Sequence, residues 1–169
     1  MKKTANYILP ILGGLILPLS FAPYKLSLIA WVAFIPLLFS LRDGKYSFLK
    51  GFLMGFSFFA VLLWWVPFSS VESNVVPQMV AGYILLLGLL SSYFGFSAMI
   101  YNKCNGEQSF LIFPVVFTGF EFIRGLSSVF GFPWGSLGYS QSNLTYFVQI
   151  ATIGGVYFVT FWILTINTV

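Results

Sequence analysis

Long apolar stretches and short polar breaks alternate along this chain. The apolar runs occupy residues 5–21, 26–41, 48–66, 76–100, 110–123 and 145–166, and brief polar, glycine- or proline-bearing connections separate them. Each run is apolar on all sides rather than along one stripe. That pattern belongs to a helix surrounded by other helices and lipid, and about 20 such residues cross a hydrocarbon layer about 30 Å thick. A β-barrel would need alternating strands of about ten residues. The pattern predicts an all-α membrane protein, a polytopic bundle of about six transmembrane helices, with residues 1–169 as a single domain and a loop at 125–144. No repeat with a period of about 20 to 50 residues is visible. The first run follows "MKK" and ends in "SFAP", which imitates a signal peptide with Ala22 at the cut. A proline directly after the cut and the helices behind it favour an uncleaved span. Pro10, Pro18 and the Gly13-Gly14 pair are expected to kink or loosen this helix.

Composition strengthens the membrane reading. Only 7% of residues are charged, 59% are hydrophobic and the mean hydropathy is +0.93, where a soluble domain carries about 25% charged residues. The net charge of +4 does not signal nucleic acid, because the basic residues stand singly or in twos between apolar runs. With the N-terminus in the cytoplasm, Lys2, Lys3, Arg42, Lys45, Lys50 and Lys103 fall inside and only Lys25 and Arg124 outside, as the positive-inside rule requires. The connection 67–75, with Glu72, and the loop 125–144 then face outward, and Cys104 faces inward.

The catalytic options are narrow. "GSLG" and "GYSQS" only approximate a nucleophile elbow, and the chain has no histidine to deprotonate a serine or cysteine. Phosphate-cradling glycine loops are missing, so no nucleotide signature exists. The single cysteine excludes an intrachain disulfide, and no cofactor or metal site is expected. Cys104, with Lys103 beside it, reads as an incidental loop thiol. Glu121 and Arg124 say more. At i, i+3 they share a helix face, and charges inside a span persist only when paired or useful. Two readings stay open: a structural ion pair with Arg124 snorkelling toward headgroups, or a pair that orients the following loop or meets a polar lipid. "GFLMG" at 51–55 fits close helix packing and is weak evidence of dimerisation. "NLT" at Asn143 is a chance sequon. The stretch "GFPWGSLGYSQ", 131–141, has the character of an interfacial loop. Pro133 restricts it, its glycines permit turns, Phe132, Trp134 and Tyr139 suit the headgroup layer, and Ser140 and Gln141 offer hydrogen bonds.

Four segments together resemble the apolipoprotein N-acyltransferases of the bacterial inner membrane: "FAPY" at 21–24, "GFLMGFSFFAVLLWW" at 51–65, "EFIRG" at 121–125 and "GFPWGSLGYSQ". The resemblance covers nearly the whole chain but only the first part of the family's length. It implies acyl transfer in two steps, from a phospholipid donor onto an enzyme cysteine and then to the N-terminal amine of a diacylglyceryl-modified lipoprotein. The family performs that chemistry with glutamate, lysine and cysteine of an extracytoplasmic nitrilase-like domain, which nothing here matches. The resemblance therefore assigns no catalytic residue. It implies a lipid-admitting site at Glu121, Arg124, Phe132, Trp134, Tyr139, Ser140 and Gln141, a truncated or split chain that is inactive alone, and a separate chain carrying the catalytic domain. A small non-enzymatic transporter or lipid-binding scaffold is the rival class. Such a protein would favour polar groups at mid-span, whereas here they cluster at span ends.

Overall fold

The apolar runs become helices in the computed structural model, which describes residues 2–69, 73–104, 109–126 and 131–169. Helix α1 spans Lys2–Ile16, α2 Ile35–Leu41, α3 Ser47–Leu62, α4 Val76–Lys103, α5 Ser109–Leu126, α6 Thr145–Val148 and α7 Ala151–Thr168. Short 3-10 segments cover Leu17–Ser20, Ser27–Trp31, Val66–Phe68, Ser73–Val75 and Leu137–Gln141. No strand occurs among the described residues. Three helical stretches are long and apolar enough to cross a bilayer, Ser47–Phe68, Val76–Lys103 and Ala151–Thr168, and two shorter apolar ones lie at Asn6–Ser20 and Ser27–Leu41. The chain is a helical membrane protein. Glu72 and loop positions 127–130 lie outside the described residues.

The run at 26–41 is not one continuous helix. Its chain leaves the 3-10 segment after Trp31 and re-enters a helix only at Ile35, with Pro36 in the first turn, where its missing N–H costs nothing. The break frees backbone groups in an apolar interior, where each must find a partner. Asn167 of α7 supplies one, donating to Ala30 O at 3.0 Å and accepting from Phe34 N at 3.1 Å. A similar repair occurs in α5, where Pro114 cannot donate to the carbonyl of Phe110. Thr168 donates to that carbonyl instead, at 2.8 Å.

The run at 5–21 changes from α-helix to a 3-10 segment at Leu17–Ser20, which holds Pro18, but it is not interrupted at Pro10 or Gly13-Gly14. The helix runs unbroken through Pro10, and Gly13 and Gly14 admit neighbouring backbone: a β-carbon on Gly13 would stand 2.6 Å from Ala33 O, and one on Gly14 would strike Ser57 and Met54. "GFLMG" is likewise used within the chain, since β-carbons at Gly51 and Gly55 would collide with α4 at Ala98 (2.7 Å) and Ser91 (2.9 Å). Helix α3 thus sits between α1 and α4, and α4 leads on to the α5–α7 pair. Lipid is as apolar as these side chains, so interlocking rather than water exclusion holds the bundle. Phenylalanines supply it at the centre, where Phe34 contacts Phe94, Phe113 and Phe117 with ring centroids 6.0, 5.9 and 5.3 Å away. Helix α7 kinks at Gly154-Gly155, and the second glycine takes φ 67°, ψ −164°, which a side chain would resist.

Candidate functional site

The last turns of α5 carry Glu121 and Arg124, and residues 131–141 fold back over that end. Sequence had placed the pair on the rim of the site. The structure places it underneath, with Glu121 only 6% and Arg124 only 2% exposed, because the returning segment covers them. A buried carboxylate needs its lone pairs met. Glu121 Oε1 accepts from Leu137 N at 2.8 Å, and Oε2 accepts from Thr160 Oγ1 of α7 at 2.8 Å. Thr160 Oγ1 itself accepts from Gly138 N at 2.9 Å. Glycine is required there, since a β-carbon would collide with Val156, 2.7 Å from its Cγ2. The guanidinium of Arg124 lies 3.7 Å from Glu121, donates to Ser136 Oγ at 3.0 Å and sits over the ring of Phe59 at 5.6 Å. Ser136 in turn donates to Pro133 O at 2.8 Å. One ion pair therefore fixes the backbone on both sides of Trp134.

A second set of hydrogen bonds anchors the far end of the segment. Gln141 is fully buried, donates to Ser27 O at 3.0 Å and to Ser140 Oγ at 2.7 Å, and accepts from Trp31 Nε1 at 2.9 Å. Ser27 hydrogen-bonds with Ser140 O and Asn143, and Asn143 donates to Lys25 O at 3.1 Å. Ser140 and Gln141 thus hold the loop to Ser27 and Trp31, just past "FAPY", and are buried.

The aromatic residues do face outward. Trp134 and Tyr139 are each about half exposed, and Trp134 packs on Phe132 and on Trp65 from the end of α3, with centroids 5.7 and 5.4 Å apart. Behind them lies an open pocket of about 510 Å³, walled by Phe21 and Ala22, by Leu62, Leu63 and Trp65, and by Pro133, Trp134, Gly135 and Tyr139. That volume falls within the usual range for small-molecule sites, about 300 to 1,000 Å³. Its wall is predominantly apolar, and the phenol of Tyr139 is the one titratable group on it. The pocket offers shape and apolar contact to a chain-like molecule; it offers no nucleophile and no general base. Cys104 is exposed at the opposite end of α4.

The structure therefore brings Trp134 and Tyr139 to the pocket, leaves Phe132 out of its wall and packed against Trp134, and sets Glu121, Arg124, Ser140 and Gln141 behind it as supports. The sequence reading missed Trp65, Leu62, Leu63 and Thr160. Trp65 carried a legible signal as an aromatic at the end of an apolar run, but Thr160 lies inside one and carried none.

Residues 13–169 match the family described as apolipoprotein N-acyltransferase N-terminal domain. The chain is 36% identical to an apolipoprotein N-acyltransferase of Geobacter metallireducens, over 97% of this chain and 32% of the relative. It is 32% identical to one of Chlorobaculum tepidum, over 95% and 30%, and 31% identical to one of Pasteurella multocida, over 99% and 32%. It spans about a third of the length of these relatives.

Proposed function

The chain belongs to the apolipoprotein N-acyltransferase family, and from that premise we propose that it forms the membrane part of an enzyme moving a fatty acyl chain from phospholipid to the N-terminal diacylglyceryl-cysteine of a lipoprotein. The pocket of about 510 Å³ behind Trp134 is the observation that carries the reading. Its apolar wall suits an acyl chain, and its aromatic rim suits the depth where glycerol meets hydrocarbon. The wall lacks a nucleophile, so this reading gives the pocket no part in the covalent steps themselves. The pocket's task is to receive a lipid laterally and hold it in register, which contributes through proximity.

In this reading the chain is multi-pass in the bacterial inner membrane, with its N-terminus in the cytoplasm and residues 125–144 outside. The distribution of basic residues supports that orientation. Native Cys104 and an introduced Ser142→Cys, each the sole thiol and each at an exposed position, should then react with impermeant maleimide from opposite sides: Ser142→Cys in intact spheroplasts, Cys104 only after lysis. The reverse order of labelling would overturn the orientation.

The pocket is tested in a chimera whose residues 1–169 replace the matching third of the Geobacter metallireducens relative. Trp134→Ala, at an exposed position, should lower kcat/KM for acyl transfer to a diacylglyceryl-cysteine peptide by about tenfold, the equivalent of about 1.4 kcal/mol of transition-state binding, and leave the melting temperature unchanged. Unchanged kcat/KM in both Trp134→Ala and Tyr139→Ala would reject the pocket as the acyl site.

A further inference from the structure

At the other end of the bundle a second pocket, of about 310 Å³, is lined by Asn6, Tyr7, Asp43, Lys45 and Tyr46. The turn that builds it is rigidly set. Gly44 (φ 69°) and Tyr46 (φ 53°) take left-handed conformations, and Asp43 Oδ1 accepts from the backbone of Lys45 at 2.9 Å. Asp43 also binds the buried ammonium of Lys50, which donates as well to Ser40 O at 2.6 Å, and its Oδ2 accepts from Asn6 Nδ2 at 2.8 Å. The hydrogen bond from Lys50 foremost, then that from the Lys45 backbone, holds the Asp43 carboxyl below the usual carboxylate range, so it stays ionised and engaged.

This arrangement decides the sign of the ligand. Both carboxylate oxygens of Asp43 are occupied, and its charge is cancelled by Lys50. Donors remain: the ammonium of Lys45 and the hydroxyls of Tyr7 and Tyr46, whose rings lie 6.4 Å apart. The pocket therefore favours an anion. Its setting decides the source. Ile8, Leu12 and Leu15 share one exposed face of α1, beginning one residue past Tyr7 and 47%, 49% and 44% exposed, so an apolar track starts beside the pocket. A free phosphate has no use for that track, and a phospholipid does.

We propose that Lys45, Tyr7 and Tyr46 bind the phosphate of an anionic phospholipid in the leaflet on the N-terminal side, its acyl chain lying along Ile8, Leu12 and Leu15. The site is distinct from the acyl-transfer pocket and does not depend on that reading. The test uses the purified chain in detergent and titrates dioctanoyl phosphatidylglycerol, dioctanoyl phosphatidylcholine and inorganic phosphate, with occupancy read by native mass spectrometry and by melting temperature. Phosphatidylglycerol should bind most tightly. Lys45→Gln should weaken it about fivefold, the effect of roughly one interfacial lysine, while Lys103→Gln, exposed at the same end but outside the pocket, should leave it unchanged. Equal losses in Lys45→Gln and Lys103→Gln would mean diffuse charge and overturn the site. Unchanged affinity in Lys45→Gln would overturn it as well. Inorganic phosphate that binds as tightly as the lipid would overturn the lipid assignment. Should Lys45→Gln fail to fold, Tyr46→Phe keeps ring and turn and removes one donor, and unaltered lipid affinity there would reject the proposal.

Discussion

Glu121→Leu should destabilise the bundle by about 3 to 5 kcal/mol, the cost of stripping a buried charge of its partner. Three groups lose their partner at once: the guanidinium of Arg124 its counter-charge, and the N–H of Leu137 and the hydroxyl of Thr160 their acceptor. The desolvation that the ion pair overcame on folding then stands uncompensated. Denaturation midpoints in mixed micelles measure the loss. A diagnostic asymmetry should accompany it, because Glu121→Leu combined with Arg124→Met removes both charges and should cost much less than the two single changes added together. Strict additivity would show that the two residues act separately. An unchanged midpoint in Glu121→Leu would mean that the segment 131–141 does not depend on the carboxylate. Trp134→Ala provides the contrast, because it alters the pocket and leaves these hydrogen bonds intact.

Asn167→Leu should cost about 2 to 4 kcal/mol. Leucine matches the volume approximately but deserts two backbone groups, Ala30 O and Phe34 N, each worth about 1 to 3 kcal/mol when buried without a partner. The bond to Ile163 O adds nothing to this sum, since that carbonyl belongs to a helix of which Asn167 is itself the next turn. Hydrogen exchange supplies the specific readout. The amide of Phe34 should lose its protection in the variant while amides in the middle of α4 keep theirs. Retained protection at Phe34 would refute the role assigned to Asn167.

These two residues mark the boundary of what the sequence discloses. The helical class and the principal helices were legible because each apolar run is long and uninterrupted, and Glu121 and Arg124 could be paired from their i, i+3 spacing alone. Their burial could not, because it depends on a segment that starts beyond Arg124 and returns across the helix end, a contact no local pattern encodes. The break after Trp31 was likewise masked by an unbroken apolar run. Pro36 hinted at it, and Asn167, a polar residue immediately after the last apolar stretch, carried the complementary hint, legible only if the two are read as partners. At the loop, aromatic residues were read as interfacial, and the structure shows Trp134 and Tyr139 about half exposed. Ser140 and Gln141 were read as site residues that offer hydrogen bonds, and Gln141 spends its amide within the protein, on Ser27, Trp31 and Ser140.

The hydrogen bond between Gln141 and Ser27 closes 114 residues of chain, and that separation has a consequence for biogenesis. A ribosome adding about 5 to 20 residues per second delivers Ser27 many seconds before its partner exists. Until residue 141 emerges, the "FAPY" corner and the end of α3 form one open flank with unanswered carbonyls. The pocket behind Trp134 closes only once residues 133–139 have emerged, so nascent chains stalled before Trp134 should be the ones that membrane quality-control proteases recognise and remove.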